Sequence, residues 1–157
     1  MAVLNPYNYG KPKGAVARKP VERRPIASFD SKNKIAQNNA DQYLEQKVMS
    51  STPEELTLML FEGAIKFTKQ AKLFNDEKLI EKTSNSILRV EAIYSELQAT
   101  LNTDYEISKE LDRLYDYILQ RLMEANIEKS NEILDEVLQM SIEFRDTWME
   151  AMKKARE

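Results

Sequence analysis

Thr52-Pro-Glu-Glu-Leu-Thr-Leu-Met-Leu-Phe61 spells out the start of a helix in side chains. Thr52 is placed to accept a hydrogen bond from a first-turn N–H, and Pro53 stands where a missing N–H costs nothing. Glu55 reaches back toward the Thr52 N–H and favours the positive end of the helix dipole. From Pro53 onward the apolar residues recur at helical spacing throughout, so this run sets the fold class as all-α.

Working outward, the spacing predicts helices at about 53–74, 77–101, 104–126 and 131–155. The first carries Leu56, Leu60, Ala64, Phe67, Ala71 and Phe74 on one stripe, widened by Met59 and Phe61. Asn75 and Asp76 read as its end and as the cap of the next helix. The second repeats Ile80, Thr83, Ile87, Val90, Tyr94, Leu97 and Leu101 in steps of three and four, with Asn102 to close it. Thr103 and Glu106 form a second capping box, ahead of a stripe of Ile107, Leu111, Leu114, Ile118, Leu122 and Ala125 that Asn126 ends. Ser130 caps the last helix, whose core face is Ile133, Val137, Met140, Phe144, Trp148 and Ala151. Short connections favour an antiparallel up-down four-helix bundle. Ala64, Ala71, Ala92 and Ala125 are small enough for close helix approach.

The sequence excludes much chemistry. With 157 residues it has a one-domain length, and it contains neither Cys nor His. A disulfide framework, a thiolate or imidazole metal site and a Ser-His-Asp triad are therefore ruled out. Acidic pairs such as Glu54-Glu55 and Asp135-Glu136 match helix first turns and solvated faces, and three scattered glycines make no phosphate loop. Neither enzyme activity, a cofactor nor a metal is expected. No apolar run approaches the roughly 20 residues of a membrane span. The start of the chain lacks the apolar core of a secretory signal, so the expected location is cytoplasmic.

Composition changes near residue 38. Residues 1–37 hold Pro6, Pro12, Pro20, Pro25, Gly10 and Gly14, and eight Lys/Arg against Glu22 and Asp30. Their surplus is +6, and with the chain at −3 the remainder carries −9. Residues 1–38 are read as a flexible basic tail with too few clustered apolar side chains to offset ordering entropy. It is open to three readings: a solvated extension or one folded back on the acidic body, a nucleic-acid contact, or a transit peptide. Nucleic acid is the weaker expectation.

Two features go beyond a core. Residues 39–51 contain Tyr43, Leu44, Val48 and Met49 and read as a short amphipathic cap segment. On the fourth helix Leu134, Leu138, Ile142, Met149 and Met152 form a second stripe, and on the third Tyr115, Tyr117 and Leu119 lie off the main one. Such residues make either a wide core or a groove for partner helices.

The residues from Tyr43 to Lys153 resemble the FliS family, cytoplasmic export chaperones of bacterial flagellin. The phrases that carry the resemblance are Tyr43-Leu-Glu-Gln, Ser51-Thr-Pro-Glu-Glu-Leu-Thr-Leu-Met-Leu-Phe-Glu-Gly-Ala-Ile-Lys-Phe67, Leu114-Tyr-Asp-Tyr-Ile-Leu-Gln-Arg-Leu-Met-Glu-Ala-Asn126, Glu132-Ile-Leu-Asp-Glu-Val-Leu138 and Arg145-Asp-Thr-Trp148. The resemblance implies a bundle that grips the disordered C-terminal segment of flagellin, prevents premature polymerisation and delivers its cargo to an export-gate component. It implies a partner groove of Tyr115, Leu119, Leu134, Leu138, Ile142, Arg145, Met149 and Met152, with Tyr43, Leu44, Val48 and Met49 as a removable N-terminal cap. A typical member has an Asn-Pro-Tyr start shortly before the Tyr43 region. Here Asn5-Pro6-Tyr7 lies far upstream, which leaves the basic tail as a departure from the family pattern. The alternative is a helical binding module whose tail contacts nucleic acid or another export component.

Overall fold

The computed structural model describes residues 31–157, with side chains from Asn38 onward; the basic stretch before residue 31 lies outside the described residues. Among the described residues there are five helices and no strand: α1 (Ser31–Ser50), α2 (Pro53–Asp76), α3 (Ile80–Ala99), α4 (Ile107–Glu128) and α5 (Asn131–Ala155). They divide into two units, α1 and a body of α2 to α5.

Helix α1 reaches back to Ser31, so the boundary expected near residue 38 falls inside a helix. The physical reason is local. Between Pro25 and Pro53 the chain has neither proline nor glycine, and Lys, Ala and Gln are good helix formers. The side chains of residues 38–50 are all exposed. Tyr43, Leu44, Val48 and Met49 are spread around the helix rather than along one stripe, so α1 is a longer and less amphipathic element than its sequence suggests.

In the body, α2 packs on α3, α3 on α4, α4 on α5 and α5 on α2. One aromatic ring from each helix joins the centre. Phe61 of α2 stacks on Phe144 of α5 at 5.8 Å between centroids, Phe144 meets Tyr115 of α4 at 5.5 Å, and Tyr115 meets Tyr94 of α3 at 5.8 Å. Tyr94 also bonds Ser141 of α5. Ser141 gives its own proton to the Val137 carbonyl at 2.8 Å, which leaves the Tyr94 hydroxyl as the donor of that pair. Burial pushes the Tyr94 hydroxyl far above the ordinary phenol range.

The α3 seam holds as read from Thr83 to Leu101, but Ile80 and Ile107 are exposed, each being the first residue of its helix. On α2 the buried face is Thr57, Phe61, Ala64, Ile65, Thr68 and Ala71, rotated from the expected stripe so that Leu56 and Leu60 are only half-buried. Threonine makes this possible. The Thr57 and Thr68 hydroxyls donate to the carbonyls of Pro53 and Ala64, so each buries a methyl without an unpaired polar atom. The close approach of α2 to α3 uses Gly63, where a Cβ would lie 3.2 Å from Ile93 Cδ1; Ala92 is exposed.

Three connections depart from the expected caps. Asn75 and Asp76 remain inside α2. The turn is made by Lys78 in the left-handed region (φ 59°), with the Leu79 N–H reaching the Phe74 carbonyl at 2.9 Å. The Asn75 amide instead bonds the Lys129 carbonyl at 2.7 Å and Asn131 Oδ1 at 2.8 Å. Helix α3 ends at Ala99 rather than Asn102, and Thr103 and Glu106 form no capping box. Glu106 is itself the helical N-cap residue of α4 and has no side-chain cap bond. Asn102 takes over there, accepting from the Asp104 N–H at 3.0 Å, while Ser108 donates to the Asn102 carbonyl. Helix α4 continues past Asn126 to Glu128 and is closed by Lys129 (φ 50°). Ser130 caps α5 as expected, accepting from the Ile133 N–H at 3.3 Å.

Candidate partner-binding surface

The eight residues expected to line one groove fall in three places. Tyr115 and Leu134 are fully buried, at 0% exposure, and are corrected from groove to core. Each sits one helical step beside its predicted stripe; Tyr115 belongs to the four-way aromatic junction and Leu134 to the same continuous core. Leu119 is half-buried on the flank of α4 that faces α3. It shares that flank with Asp112 and Asn126, seven residues to either side, and both bond α3.

The other five lie together. On α5 the positions Asn131, Asp135, Leu138, Ile142, Arg145, Met149 and Met152 advance by alternating four and three, which is one flank of a helix. That flank faces α2. At one end the Asn131 amide donates to Asp76 Oδ1 at 2.7 Å and Lys72 pairs with Asp135. At the far end the Trp148 indole N–H donates to the Glu54 carbonyl at 3.0 Å, tying the close of α5 to the first turn of α2. Between these two locks the row is apolar. Leu138 and Ile142 are half-buried there, and past Trp148 the row continues with Met149, 49% exposed, and the half-buried Met152. Arg145 interrupts the row and pairs locally with Asp146 at 3.0 Å.

Register brings two α2 residues into the same seam that the sequence did not single out as binding residues. Lys72 and Asp76 meet Asp135 and Asn131, so Ile65 and Leu58, seven and fourteen residues before Lys72, run beside Ile142 and Met149. Ile65 is buried and Leu58 half-buried. Their spacing from Lys72 was the available signal, but only a known partner for Lys72 gives it meaning.

On the opposite flank of α5, Glu136 is held by α4. Tyr117 donates to one carboxylate oxygen, and Arg121 Nη2 reaches the other at 3.1 Å. The Tyr117 hydrogen bond first, and then Arg121, hold the Glu136 carboxyl below the usual range, while the same bond raises the Tyr117 hydroxyl. This network closes the α4–α5 side with polar contacts, in contrast to the apolar α2–α5 seam. Among the described residues no group of acidic side chains is arranged to hold a metal ion, and no helix is long and apolar enough to cross a membrane.

The body is all-helical, with an apolar seam left half-open between polar locks, and it has the fold of a flagellar chaperone. A solved structure described as the crystal structure of a flagellar chaperone from bacteria superposes with a TM-score of 0.62 at 19% identity, covering 76% of this chain and 98% of that one. The sequence profile of the family described as flagellar protein FliS matches residues 36–155, and the chain belongs to that family of flagellar secretion chaperones, which is not an enzyme family. It is 35% identical over 121 residues to the flagellar secretion chaperone FliS of Bacillus subtilis, covering 77% of this chain and 91% of that protein. It is 30% identical to the FliS of Salmonella typhimurium, covering 71% and 85%. The FliS of Campylobacter jejuni is also 30% identical, with 73% and 92% covered.

Proposed function

We propose that this chain is a cytoplasmic chaperone for flagellin, and that the α2–α5 seam receives the disordered C-terminal region of that cargo. Helices α2 to α5 act in this reading as an antiparallel up-down bundle. Leu138, Ile142, Met149 and Met152 supply the apolar contacts, and Arg145 supplies a polar one at the seam's edge. The observation that carries the reading is the half-open apolar row between the Lys72–Asp135 and Trp148–Glu54 locks. A family whose members serve flagellar secretion has a use for such a row, because an export substrate that self-assembles through apolar helical faces needs those faces covered until it leaves. Coupled folding of a disordered cargo moderates affinity and permits release. Delivery to an export-gate component completes the role.

Purified monomeric flagellin tests this. Under polymerising conditions, light scattering should stay flat with an equimolar amount of the chain and rise without it. With the Ile142→Asp variant, confirmed folded by circular dichroism, the rise should return. Unhindered polymerisation in the presence of the wild-type chain would overturn the proposal.

A further inference from the structure

On its other flank α2 meets α3, and contacts fix the register of that seam. Gly63 faces Ile93, Phe67 faces Arg89 and Phe74 faces Lys82. At the outer edge three cations lie on two half-buried rings. Arg89 Cζ is 5.1 Å and Lys66 Nζ 5.6 Å from the Phe67 centroid, and Lys82 Nζ is 5.6 Å from that of Phe74. Lys66, Lys82 and Arg89 are exposed, and none has an ion pair among the described residues. The sequence explains why. Neither residues 63–75 nor residues 82–90 contain an Asp or Glu, although residues 38–157 carry a surplus of nine negative charges. Lys72 does pair, but with Asp135 on the flank of α2 that faces α5.

Such an edge suits an anion that arrives from outside. Cations seated on ring faces have less side-chain freedom to lose when they pair with a carboxylate. The same cations cover the rings, so no apolar groove is left here for a helix. A phosphate polymer or a bilayer would set a large negative area against an acidic body, and the field of that body opposes it. The chain's own first 30 residues hold six Lys/Arg against Glu22 and Asp30 and have the wrong sign. A short acidic segment meets neither objection. Lys82 and Arg89 stand seven residues apart on α3, about 10 Å along the helix, which an extended chain covers in about three residues. We propose that this edge of the α2–α3 seam docks an extended, acid-rich segment of a separate partner protein, with one carboxylate set against Arg89 and Lys66 and another against Lys82. The occupant differs from the proposed cargo in chemistry and in place: it is acidic where that segment is apolar, and it lies on the flank of α2 turned away from α5.

The test uses the full chain, free of cargo, and a fluorescent peptide of Glu and Ser kept extended by a central Pro, with a Gln-for-Glu peptide as its counterpart. Anisotropy titrations at low salt should show the Glu peptide binding and the Gln peptide not, with affinity falling as salt is added. Arg89→Gln and Lys82→Gln, both at exposed positions where folding is not at risk, should each weaken the Glu peptide about two- to fivefold. Lys109→Gln removes the same charge from an exposed position on α4 and should leave binding nearly unchanged. Three results overturn the proposal: no binding of the Glu peptide, an equal loss in Lys109→Gln, or displacement of the Glu peptide by a flagellin C-terminal peptide, which would assign this edge to the cargo. Tighter binding of an oligouridylate RNA or of phosphatidylglycerol vesicles, lost in Arg89→Gln, would overturn it in favour of a phosphate-bearing partner. Dimerisation in sedimentation that Arg89→Gln abolishes would do so in favour of a second copy.

Discussion

Tyr115→Ala separates core from surface most sharply. Tyr115 is the hub of the aromatic junction, 5.5 Å from Phe144 and 5.8 Å from Tyr94, and has no exposed area. Truncation removes the ring's burial and leaves a cavity shared by three helices. Large aromatic-to-alanine changes in cores cost about 3–5 kcal/mol, and each lost ring pair adds about 0.5–1.5 kcal/mol to what area alone predicts. For a body of this size 1 kcal/mol corresponds to roughly 4–8 °C in Tm, so the melting point should fall by roughly 12–40 °C, provided the variant folds at all. Thermal melts followed by circular dichroism measure this directly. Met149→Ala, at a half-exposed site, should shift Tm by only about 2–4 °C and should weaken partner binding instead. A Tyr115→Ala protein that melts within a few degrees of wild type while losing its partner would refute the core assignment and return Tyr115 to the groove.

Three further outcomes are expected. Lys78→Gly relieves a left-handed residue in the α2–α3 turn and should add about 0.5–1 kcal/mol in urea unfolding; a loss of stability would mean that the lysine side chain matters more than the backbone. Glu136 has a lowered carboxyl, so its contribution is present above its ordinary value near 4.5 and is lost as pH falls through its folded value. Stability should therefore drop on acidification, and Glu136→Gln should flatten that drop; urea midpoints between about pH 3 and 6 that fall equally in both proteins would contradict it. Deleting residues 1–48, which removes Tyr43, Leu44 and Val48, should raise apparent affinity for flagellin if these side chains compete for the seam, and unchanged or weaker binding would end the cap proposal.

Where the sequence was legible, one physical signal dominated. Thr83, Ile87, Val90, Tyr94 and Leu97 are all buried because a strict three-four repeat leaves a single way to face a core. Pro53 and Ser130 mark helix starts because their chemistry is specific to first turns. Tyr115 and Leu134 were misplaced because periodicity fixes the direction of a stripe and not its width, which the neighbouring helices decide. The Thr103–Glu106 box failed for a related reason: Asn102 and Ser108 satisfy the same turn in another way, and local propensity does not rank such rivals. The α2 side of the seam was invisible, since Leu58 and the buried Ile65 come beside α5 only through a register set by Lys72 and Asp135.

If the half-open α2–α5 seam grips the C-terminal segment of flagellin as proposed, a peptide of that segment binds the isolated chain. Isothermal titration of the full chain with a peptide of that segment, repeated at several temperatures, tests it most directly. The expected result is a 1:1 complex with a large negative heat-capacity change, lost in Ile142→Asp. An absence of heat with both components soluble, or equal binding by the variant, would contradict it.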